Sequence, residues 1–363
     1  MPASRNPLSF VPLTESMPTA LAKYPVPRLH CSTSCLRLLA DIGGTNARFA
    51  LERGQGNIEA IEVFACADYP TLATAVLGYL ATPHVASAGK VVHGAIAIAN
   101  PIFGDFVRMT NHHWEFSISE LQRKLEFDSL VVVNDFSALA MALPHLTVAE
   151  KRMVGGGVPL ANMPIGLVGA GSGLGVSALV PEDPTVTGAA ASQWTALRSE
   201  GGHASFSPIN ETEVAVLQFA WRELPHVSAE RFLSGPGLEL IYRALSHLRG
   251  KPSESLNAAE ITRRGLAREC ALCDEVIEIF CGMLGTVAGN LAVTFGAQGG
   301  VYIGGGIVPR LGDRFDRSCF RDRFEQKGRF ADYLSRIPTY VITAEYPAFA
   351  GASAILTQQL NSQ

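Results

Sequence analysis

Apolar residues recur along most of this chain in short runs of strand length that alternate with longer windows of helical spacing. Residues 36–65 predict a strand, a hairpin and a further strand, because glycine turns interrupt the apolar runs there. A helical window at 69–81 and a buried strand at 91–99 follow. Strands and helices that alternate in this way are typical of α/β proteins.

A second stretch, 165–180, repeats the pattern of 38–51: an apolar strand, a glycine-rich turn and another apolar strand. We expect the two hairpins to belong to a duplicated fold whose two sheets each present a glycine turn to a shared cleft. β-forming residues follow the second set of glycines, whereas a dinucleotide fingerprint requires a helix at that point. The pattern therefore argues against a nicotinamide-binding fold.

The remaining periodic segments are mainly helical. Residues 227–237 predict a capped helix that stops at a Gly-Pro-Gly breaker, and the basic residues between 321 and 329 are expected on a solvated helix face. Ser117 to Glu120 resembles a capping box for a helix that runs to Lys124. The other expected elements are a strand at 130–133, helices at 137–143, 258–268, 274–291 and 348–360, and a strand at 340–343.

A length of 363 residues fits two domains of ordinary size. We assign 36–145 together with 345–363 to a small α/β domain, and 146–344 to a large α/β domain. Residues 1–35 carry frequent prolines and no hydrophobic periodicity, which predicts a disordered N-terminal extension. Its basic residues faintly resemble a transit peptide, but the prolines oppose the amphipathic helix that such a peptide needs, and an over-long start is the alternative.

Composition narrows the kind of partner. With 47% hydrophobic and 17% charged residues, the chain can bury a large core, as an ordinary soluble enzyme does. A net charge of -4 argues against a nucleic-acid partner. No segment approaches the roughly 20 uninterrupted apolar residues of a membrane helix, so we expect no membrane partner. The expected partner is a small molecule.

The cysteines favour a reducing, cytoplasmic environment. There are 7, an odd number, and no secretory h-region precedes them. Cys270 and Cys273 have metal-like spacing, but the sequence offers no second such pair, and we interpret them as ordinary thiols.

Asp41 lies inside an apolar run, where an unpaired carboxylate would be costly unless a cation or hydrogen-bond donors meet it. Gly43 and Gly44 follow, and because they have no Cβ the turn can take positive φ and let backbone N–H groups approach a phosphate closely. Thr45 adds a short polar side chain. An ordinary hairpin turn is the competing interpretation, because a glycine pair between apolar runs is also the usual hairpin signal.

Asn134 and Asp135 follow the predicted strand at 130–133, at the carboxyl end where open α/β sheets place their ligands. The structural alternative is that Asp135 caps the next helix. Glu200 and His203 flank two glycines and suit hydroxyl recognition, while metal binding lacks a third ligand. Glu230 is either a ligand or part of a first-turn charge bias, and the glycine triplet 304–306 suits a purine or ribose.

Together these motifs resemble the bacterial glucokinase family, the hexokinase-like group of the sugar kinase, Hsp70 and actin superfamily. The resemblance covers about residues 36–360. The strings 40–48 and 169–175 look like the family's two phosphate motifs, and 304–310 looks like its adenosine motif. The ROK group of sugar kinases is similar in fold but carries a CxCGxxGC-type zinc motif that this sequence lacks.

The resemblance implies a two-domain actin-like ATPase (ribonuclease H-like) fold with an interdomain cleft, in a homodimeric enzyme of glycolysis. It also implies ATP-dependent phosphorylation of the 6-hydroxyl of glucose, giving glucose 6-phosphate and ADP. Asp135 would be the catalytic carboxylate, and the implied glucose site comprises Asn111, Asn134, Asp135, Glu200, His203 and Glu230. The implied ATP site comprises Ala40, Asp41, Ile42, Gly43, Gly44, Thr45, Gly171, Ser172, Gly173, Gly304, Gly305 and Gly306.

Magnesium is expected with ATP, and Asp41 would hold it through water, because Mg²⁺ dehydrates reluctantly. An unperturbed Asp has a pKa of about 3.9 and is a weak base for an alcohol. A loose phosphoryl-transfer transition state delays removal of the proton, so we expect the orientation of Asp135 to matter more than its basicity.

Three alternatives remain open at this level. A sugar sensor built on the same fold would keep the glycine turns but would not need Asp135. A chaperone or filament ATPase of the actin group would not need the pair formed by Glu200 and His203. Polyphosphate in place of ATP is a rival donor, although the triplet 304–306 favours a nucleotide.

Overall fold

The structure is a computed structural model that describes residues 36–182 and 193–362. The predicted N-terminal extension, with Cys31 and Cys35, lies outside the described residues. Thirteen strands are described: β1 Leu36–Ile42, β2 Asn46–Arg53, β3 Ile58–Ala65, β4 Val91–Ile98, β5 Phe106–Arg108, β6 Glu115–Ser117, β7 Ser129–Asn134, β8 Lys151–Val154, β9 Ile165–Ala170, β10 Leu174–Pro181, β11 Trp194–Leu197, β12 Val301–Gly304 and β13 Thr339–Ile342.

Two mixed sheets share one arrangement. The first has the order β3-β2-β1-β4-β7, and the second has the order β11-β10-β9-β12-β13-β8. In each sheet an antiparallel meander of three strands, β1–β3 or β9–β11, is extended by two parallel strands. The expectation of a duplicated fold, with a glycine turn at an equivalent place in each sheet, is therefore confirmed.

Helices cover the sheets. Most predicted windows appear with small shifts at their ends, whereas the helix Glu211–Ala220 and the greater part of Gly235–Leu248 were not predicted. The helices of seven or more residues are Leu72–Leu80, Ile118–Lys124, Asp135–Ala142, Glu211–Ala220, Gly235–Leu248, Ala258–Leu266, Ala271–Phe295 and Pro347–Ser362. The shorter ones are Pro83–Ala86, Ile307–Leu311, Asp313–Asp316, Phe320–Glu325 and Ala331–Ser335. Residues 227–237 differ from expectation: Ala229–Arg231 is a single 3₁₀ turn, and Gly-Pro-Gly begins the next helix.

The Gly-Pro-Gly segment begins a helix because of the serine that precedes it. The Ser234 side chain accepts a hydrogen bond from the N–H of Gly237 at 3.1 Å and caps the helix Gly235–Leu248. Pro236 lies in the first turn, where a missing N–H removes no helical hydrogen bond. A proline-glycine cluster therefore begins a helix here because a capping serine precedes it.

Two helices lie in the layer between the sheets. Phe349 and Leu356 of Pro347–Ser362 pack on the first sheet, while Met141 of Asp135–Ala142 belongs to a cluster on the second. The two helices touch at Gly351, where an added Cβ would overlap the carbonyl oxygen of Ala138. This contact brings the C-terminal helix against the helix that follows β7. The proposed domain limits of 36–145 plus 345–363 and 146–344 stay a prediction.

The prediction that the basic residues between 321 and 329 lie on a solvated helix face is wrong for Arg321 and Arg323. The Arg321 side chain is 12% exposed and donates to the backbone oxygens of Ile337 and Ser335, each at 2.9 Å. Arg323 is 11% exposed and pairs with Glu213 at 2.7 Å. A local charge pattern cannot reveal these contacts, because the partners lie far away in sequence.

Ala271–Phe295 is long and apolar enough to span a membrane by length and composition, yet 72% of its most apolar window is buried inside the protein. Val276, Phe280 and Leu284 of this helix are fully buried in the large hydrophobic cluster beneath the second sheet. The helix therefore has the burial expected of a core helix.

Candidate active site

A cleft of about 910 Å³ lies between the two halves of the molecule. Strand ends and turns from both halves of the molecule line it. Most of the predicted site residues meet there: Asp41, Gly43, Gly44, Thr45, Asn111, Asn134, Asp135, Gly171, Ser172, Gly173, Glu200, His203, Glu230, Gly305 and Gly306. The cleft thus brings together segments that are widely separated in sequence.

The first glycine turn joins β1 to β2. The N–H of Gly43 donates to the carbonyl oxygen of Asn46 at 2.9 Å, which closes the hairpin. Gly44 faces the loop at Asn111, and an added Cβ would lie 3.1 Å from both Cβ and the carbonyl oxygen of Asn111. Neither Gly43 nor Gly44 has a positive φ, so the turn does not use this conformational freedom. At Gly44 the missing side chain permits close approach to Asn111.

Asp41 is met by a cation, as the sequence required. Nη1 of Arg48 lies 2.9 Å from Oδ2 of Asp41 across the hairpin. Burial raises the pKa of Asp41, and the guanidinium of Arg48 opposes that shift. Arg48 also lines the cleft, so a positive charge lies beside the first glycine turn.

The second glycine turn, Gly171 to Gly173, is closed by a hydrogen bond of its own. A further hydrogen bond joins it to the start of the helix Gly235–Leu248. The N–H of Gly171 donates to the oxygen of Gly173 at 2.8 Å, and the N–H of Gly235 donates to the oxygen of Gly171 at 2.8 Å. The backbone N–H of Leu174 donates to Oε2 of Glu230 at 2.9 Å. An added Cβ on Gly173 would overlap this same carboxylate oxygen.

The glycine triplet follows β12 and reaches the cleft from the second sheet. Gly305 has φ +80°, and an added Cβ would overlap the carbonyl oxygen of Ala170, so glycine is required by both conformation and space. Gly306 directly precedes the helix Ile307–Leu311. Gly305 and Gly306 line the cleft.

Asn134, not Asp135, caps the helix Asp135–Ala142. Oδ1 of Asn134 accepts hydrogen bonds from the N–H groups of Phe136 at 3.0 Å and Ser137 at 3.2 Å. The alternative in which Asp135 serves as the cap is therefore wrong. Because Asn134 fills that role, Asp135 occupies the first helical position with its carboxylate in the cleft.

Asp135 is electrostatically unusual. Burial raises its pKa from 3.8 to about 6, and the nearby carboxylates of Asp41 and Glu200 add to the shift. The N–H of Phe136 donates to Oδ1 of Asp135 at 2.9 Å and partly offsets it. A carboxyl group that titrates near neutral pH is suited to accept a proton in a reaction.

Glu200, His203 and Glu230 form a polar cluster in the same cleft. His203 lies between the two acids, with Nε2 4.0 Å from Oε2 of Glu200 and Nδ1 3.8 Å from Oε1 of Glu230. The side chains of Glu200 and His203 are 60% and 61% exposed, whereas that of Glu230 is 30% exposed. The cluster presents carboxylate acceptors around a histidine that can donate or accept, which suits a polyhydroxylated ligand.

Three residues of the predicted ATP site, Ala40, Ile42 and Gly304, lie inside strands and are buried. They do not line the cleft, and their role stays a prediction. Sequence reasoning assigned no role to other residues that do line it, among them Arg48, Asn100, Phe136 and Ser199. Two of these residues could have been found from the sequence: Arg48 lies within the string 40–48, and Phe136 follows Asp135 directly.

Fold and site together define the class of protein. A duplicated α/β fold with a cleft between two glycine hairpins and a partly buried Asp at a strand end is the actin-like ATPase fold. Solved structures agree. Glucokinase from an Antarctic psychrotroph superposes with a TM-score of 0.79 at 37% identity, covering 89% of this chain and 99% of that one. Glucokinase from Balamuthia mandrillaris, solved with glucose, gives a TM-score of 0.71 at 17% identity, covering 91% and 96%, and shows the shared fold alone.

The chain belongs to the glucokinase family, whose family model matches residues 38–359. Glucokinase of Chromobacterium violaceum is 52% identical over 324 residues, which cover 89% of this chain and 90% of that protein. The bifunctional protein glk of Burkholderia thailandensis is 57% identical over 329 residues, which cover 90% of this chain and 49% of that protein. The chain thus spans about half the length of these bifunctional relatives.

Proposed function

We propose that this chain catalyses transfer of the γ-phosphoryl group of ATP to the 6-hydroxyl of D-glucose, giving glucose 6-phosphate and ADP. Membership of the glucokinase family supports the reaction class. The observation that carries the proposal is the position of Asp135, whose pKa is raised to about 6 in a cleft between two glycine turns. Asp135 accepts the proton of the sugar hydroxyl as phosphoryl transfer proceeds.

Glucose occupies the part of the cleft that contains both carboxylates of the polar cluster. Glu200 and Glu230 accept hydrogen bonds from sugar hydroxyls, and His203 between them donates or accepts. Asn134 orients the sugar through its amide, and Asn111 contributes from the loop that faces Gly44. This assignment is supported by the shared lining of one cleft by all five residues and Asp135.

The phosphates of ATP lie between the two glycine turns. Backbone N–H groups of Gly43 and Gly44, with the hydroxyl of Thr45, approach them from the first sheet, and Gly171, Ser172 and Gly173 approach from the second. Gly305 and Gly306 hold the adenosine. The remaining assigned residues, Ala40, Ile42 and Gly304, shape this site from within the strands.

Magnesium fits this donor set as a partner of the nucleotide. Among residues 36–182 and 193–362 there is no cluster of three or more His, Cys, Asp or Glu that could hold a metal ion by itself. Nucleotide-bound Mg²⁺ needs only one or two carboxylates besides the phosphates and waters, and Asp41 at the first turn supplies one, through water. When bound, the ion would neutralise charge on the phosphate oxygens.

Water must be kept from replacing the sugar as acceptor. Closure of the two halves around glucose excludes it, and we therefore expect only weak ATP hydrolysis without sugar. The enzyme is proposed to act in the cytoplasm, in glycolysis, as a homodimer. It is proposed to have no nucleic-acid or membrane partner.

A coupled assay of ADP release with Mg²⁺ and ATP tests the proposal. It compares glucose, mannose, fructose, N-acetylglucosamine and no sugar. Strong stimulation by glucose is the expected result. Hydrolysis that is independent of sugar would indicate an actin-like ATPase instead, and glucose binding without turnover would indicate a sensor.

A further inference from the structure

Phe136 connects the two halves of the cleft although it has no reactive group of its own. It follows Asp135 directly and lines the cleft. Its backbone N–H donates to Oδ1 of Asp135 at 2.9 Å and to Oδ1 of Asn134 at 3.0 Å. One N–H group therefore orients both polar side chains at the end of β7.

The ring of Phe136 lies in a depression of the second sheet. Gly169 of β9 and Gly175 of β10 are cross-strand partners. An added Cβ on Gly169 would lie 2.7 Å from Cζ of the ring, and one on Gly175 would overlap three ring atoms. We call the space left by this glycine pair the glycine slot. Any larger residue at either position would displace the ring.

The glycine slot lies at the base of the second glycine turn. β9 ends at Ala170 and β10 begins at Leu174, so the turn at 171–173 projects directly from the two strands that hold the ring. The ring therefore fixes the first turn of the helix Asp135–Ala142 against the hairpin that carries this turn.

We propose that Phe136 is a positioning residue, whose ring in the glycine slot sets the placement of the Asp135 carboxylate relative to the second glycine turn. The inference rests on the proposed function, in which Asp135 receives the hydroxyl proton and the turn holds the phosphates. Attack on the phosphoryl group requires the acceptor and donor to be held in a near-attack geometry, and a misplacement of about 1 Å can lower the rate by about 100-fold.

Phe136→Ala empties the slot and is the first test. We expect kcat to fall by about 10- to 100-fold, because Asp135 loses its fixed placement. The KM for ATP should change less than about twofold, because the turn at 171–173 is closed by hydrogen bonds that do not involve Phe136. A rise in the KM for ATP with unchanged kcat would overturn the proposal, since it would mean that the ring only supports the hairpin.

Two further variants control for folding. Met141→Ala removes a buried side chain from the same helix, away from the cleft, and should lower the melting temperature with kcat unchanged. Phe136→Leu keeps an apolar group in the slot and should restore part of the kcat lost in Phe136→Ala. If Met141→Ala lowers kcat as much as Phe136→Ala does, general loosening of the helix explains the loss and the proposal fails.

A double-mutant cycle isolates the contact between ring and slot. Gly175→Ala fills the slot from the sheet side and should lower kcat in the wild-type background. In the Phe136→Ala background the added methyl group meets no ring, so Gly175→Ala should cause little further loss. Losses that multiply independently would show that ring and slot do not act as a unit.

Asp135→Asn separates this inference from the proposed function. If Asp135→Asn keeps the wild-type kcat, the assignment of Asp135 fails whatever Phe136 does. If Asp135→Asn is inactive while Phe136→Ala stays within about twofold of the wild-type kcat, the function stands and the positioning role is overturned.

Discussion

Asp41 and Arg48 are cross-strand partners on β1 and β2, and Nη1 of Arg48 lies 2.9 Å from Oδ2 of Asp41 beside the first glycine turn. The strands continue the hairpin on either side of this turn, so the pairing of Asp41 with Arg48 follows from strand register alone. The ion pair supplies the cation that a carboxylate in an apolar run needs. In the proposed function it also places a positive charge beside the phosphates of ATP.

Arg48→Leu should raise the KM for ATP by about 10-fold, because in the proposed function the lost charge lies beside the phosphates. It should also lower stability by about 1 to 3 kcal/mol, because Asp41, 23% exposed, would lose the cation that offsets its burial. Kinetics and urea denaturation measure the two effects. Arg53→Leu is the matched control, since Arg53 pairs with Glu59 at 2.9 Å on the same sheet, away from the cleft. An unchanged KM for ATP in Arg48→Leu would contradict the phosphate assignment.

Asp135→Asn should lower kcat by about 10²- to 10⁴-fold, because the amide cannot accept the hydroxyl proton. Glucose should still bind, since Glu200, His203 and Glu230 of the polar cluster are unchanged. Steady-state kinetics and calorimetric titration with glucose check the two parts. Asp332→Asn changes an exposed carboxylate outside the cleft and should leave kcat unchanged. Full activity of Asp135→Asn would remove this residue from the mechanism.

The pH dependence follows from the raised pKa of Asp135. The carboxylate is protonated below about pH 6, so kcat/KM should fall about tenfold per unit as the pH drops below that value. A profile that is flat from pH 5 to pH 8 would be inconsistent with Asp135 as the base.

The same shift affects stability. Between pH 4 and pH 6 the folded state binds the proton more tightly than the unfolded chain, so the contribution of Asp135 to stability falls as the pH rises through this window. Asp135→Asn has no carboxyl group to titrate, so it does not lose stability as the pH rises through this window. The gain in melting temperature of Asp135→Asn over the wild type should therefore be larger at pH 7 than at pH 5, and an equal gain at both would argue against the raised pKa.

Glu200 and Glu230 should differ when they are changed. Glu200→Gln should raise the KM for glucose by about 10-fold, with the KM for ATP unchanged, because Glu200 lies in the polar cluster beside His203. Glu230→Ala should raise both KM values, because Glu230 also accepts the N–H of Leu174 beside the second glycine turn. The exposed Glu211, changed to Gln, serves as a control. An effect of Glu200→Gln confined to ATP would contradict its assignment to the sugar.

Arg323→Met should destabilise the protein by about 3 to 5 kcal/mol, because Glu213, whose side chain is 2% exposed, would keep a buried charge without its partner. Arg317→Met should have almost no effect, since the Arg317–Asp313 pair spans 4.0 Å with side chains 74% and 86% exposed. Denaturant unfolding of both variants decides this. Equal effects would mean that burial does not control the strength of these pairs.

The sequence by itself determined the elements whose causes are local. The two glycine hairpins, the strand that ends at Asn134 and the long core helix follow from apolar periodicity and turn residues within short windows. The candidate chemistry of Asp41 and Asp135 was also readable, because a carboxylate inside or at the end of an apolar strand needs a reason to be there.

Only the tertiary structure decided what depends on distant neighbours. It assigned the helix cap to Asn134, which frees Asp135 for the cleft, and it raised the pKa of Asp135 through burial and through charges from other segments. It showed that little room is left for a side chain at position 44 because Asn111 lies against Gly44. It also showed that Arg323 is largely buried and paired with Glu213. Burial, close approach and ion pairing are properties of two segments at once, and a local pattern specifies only one of them.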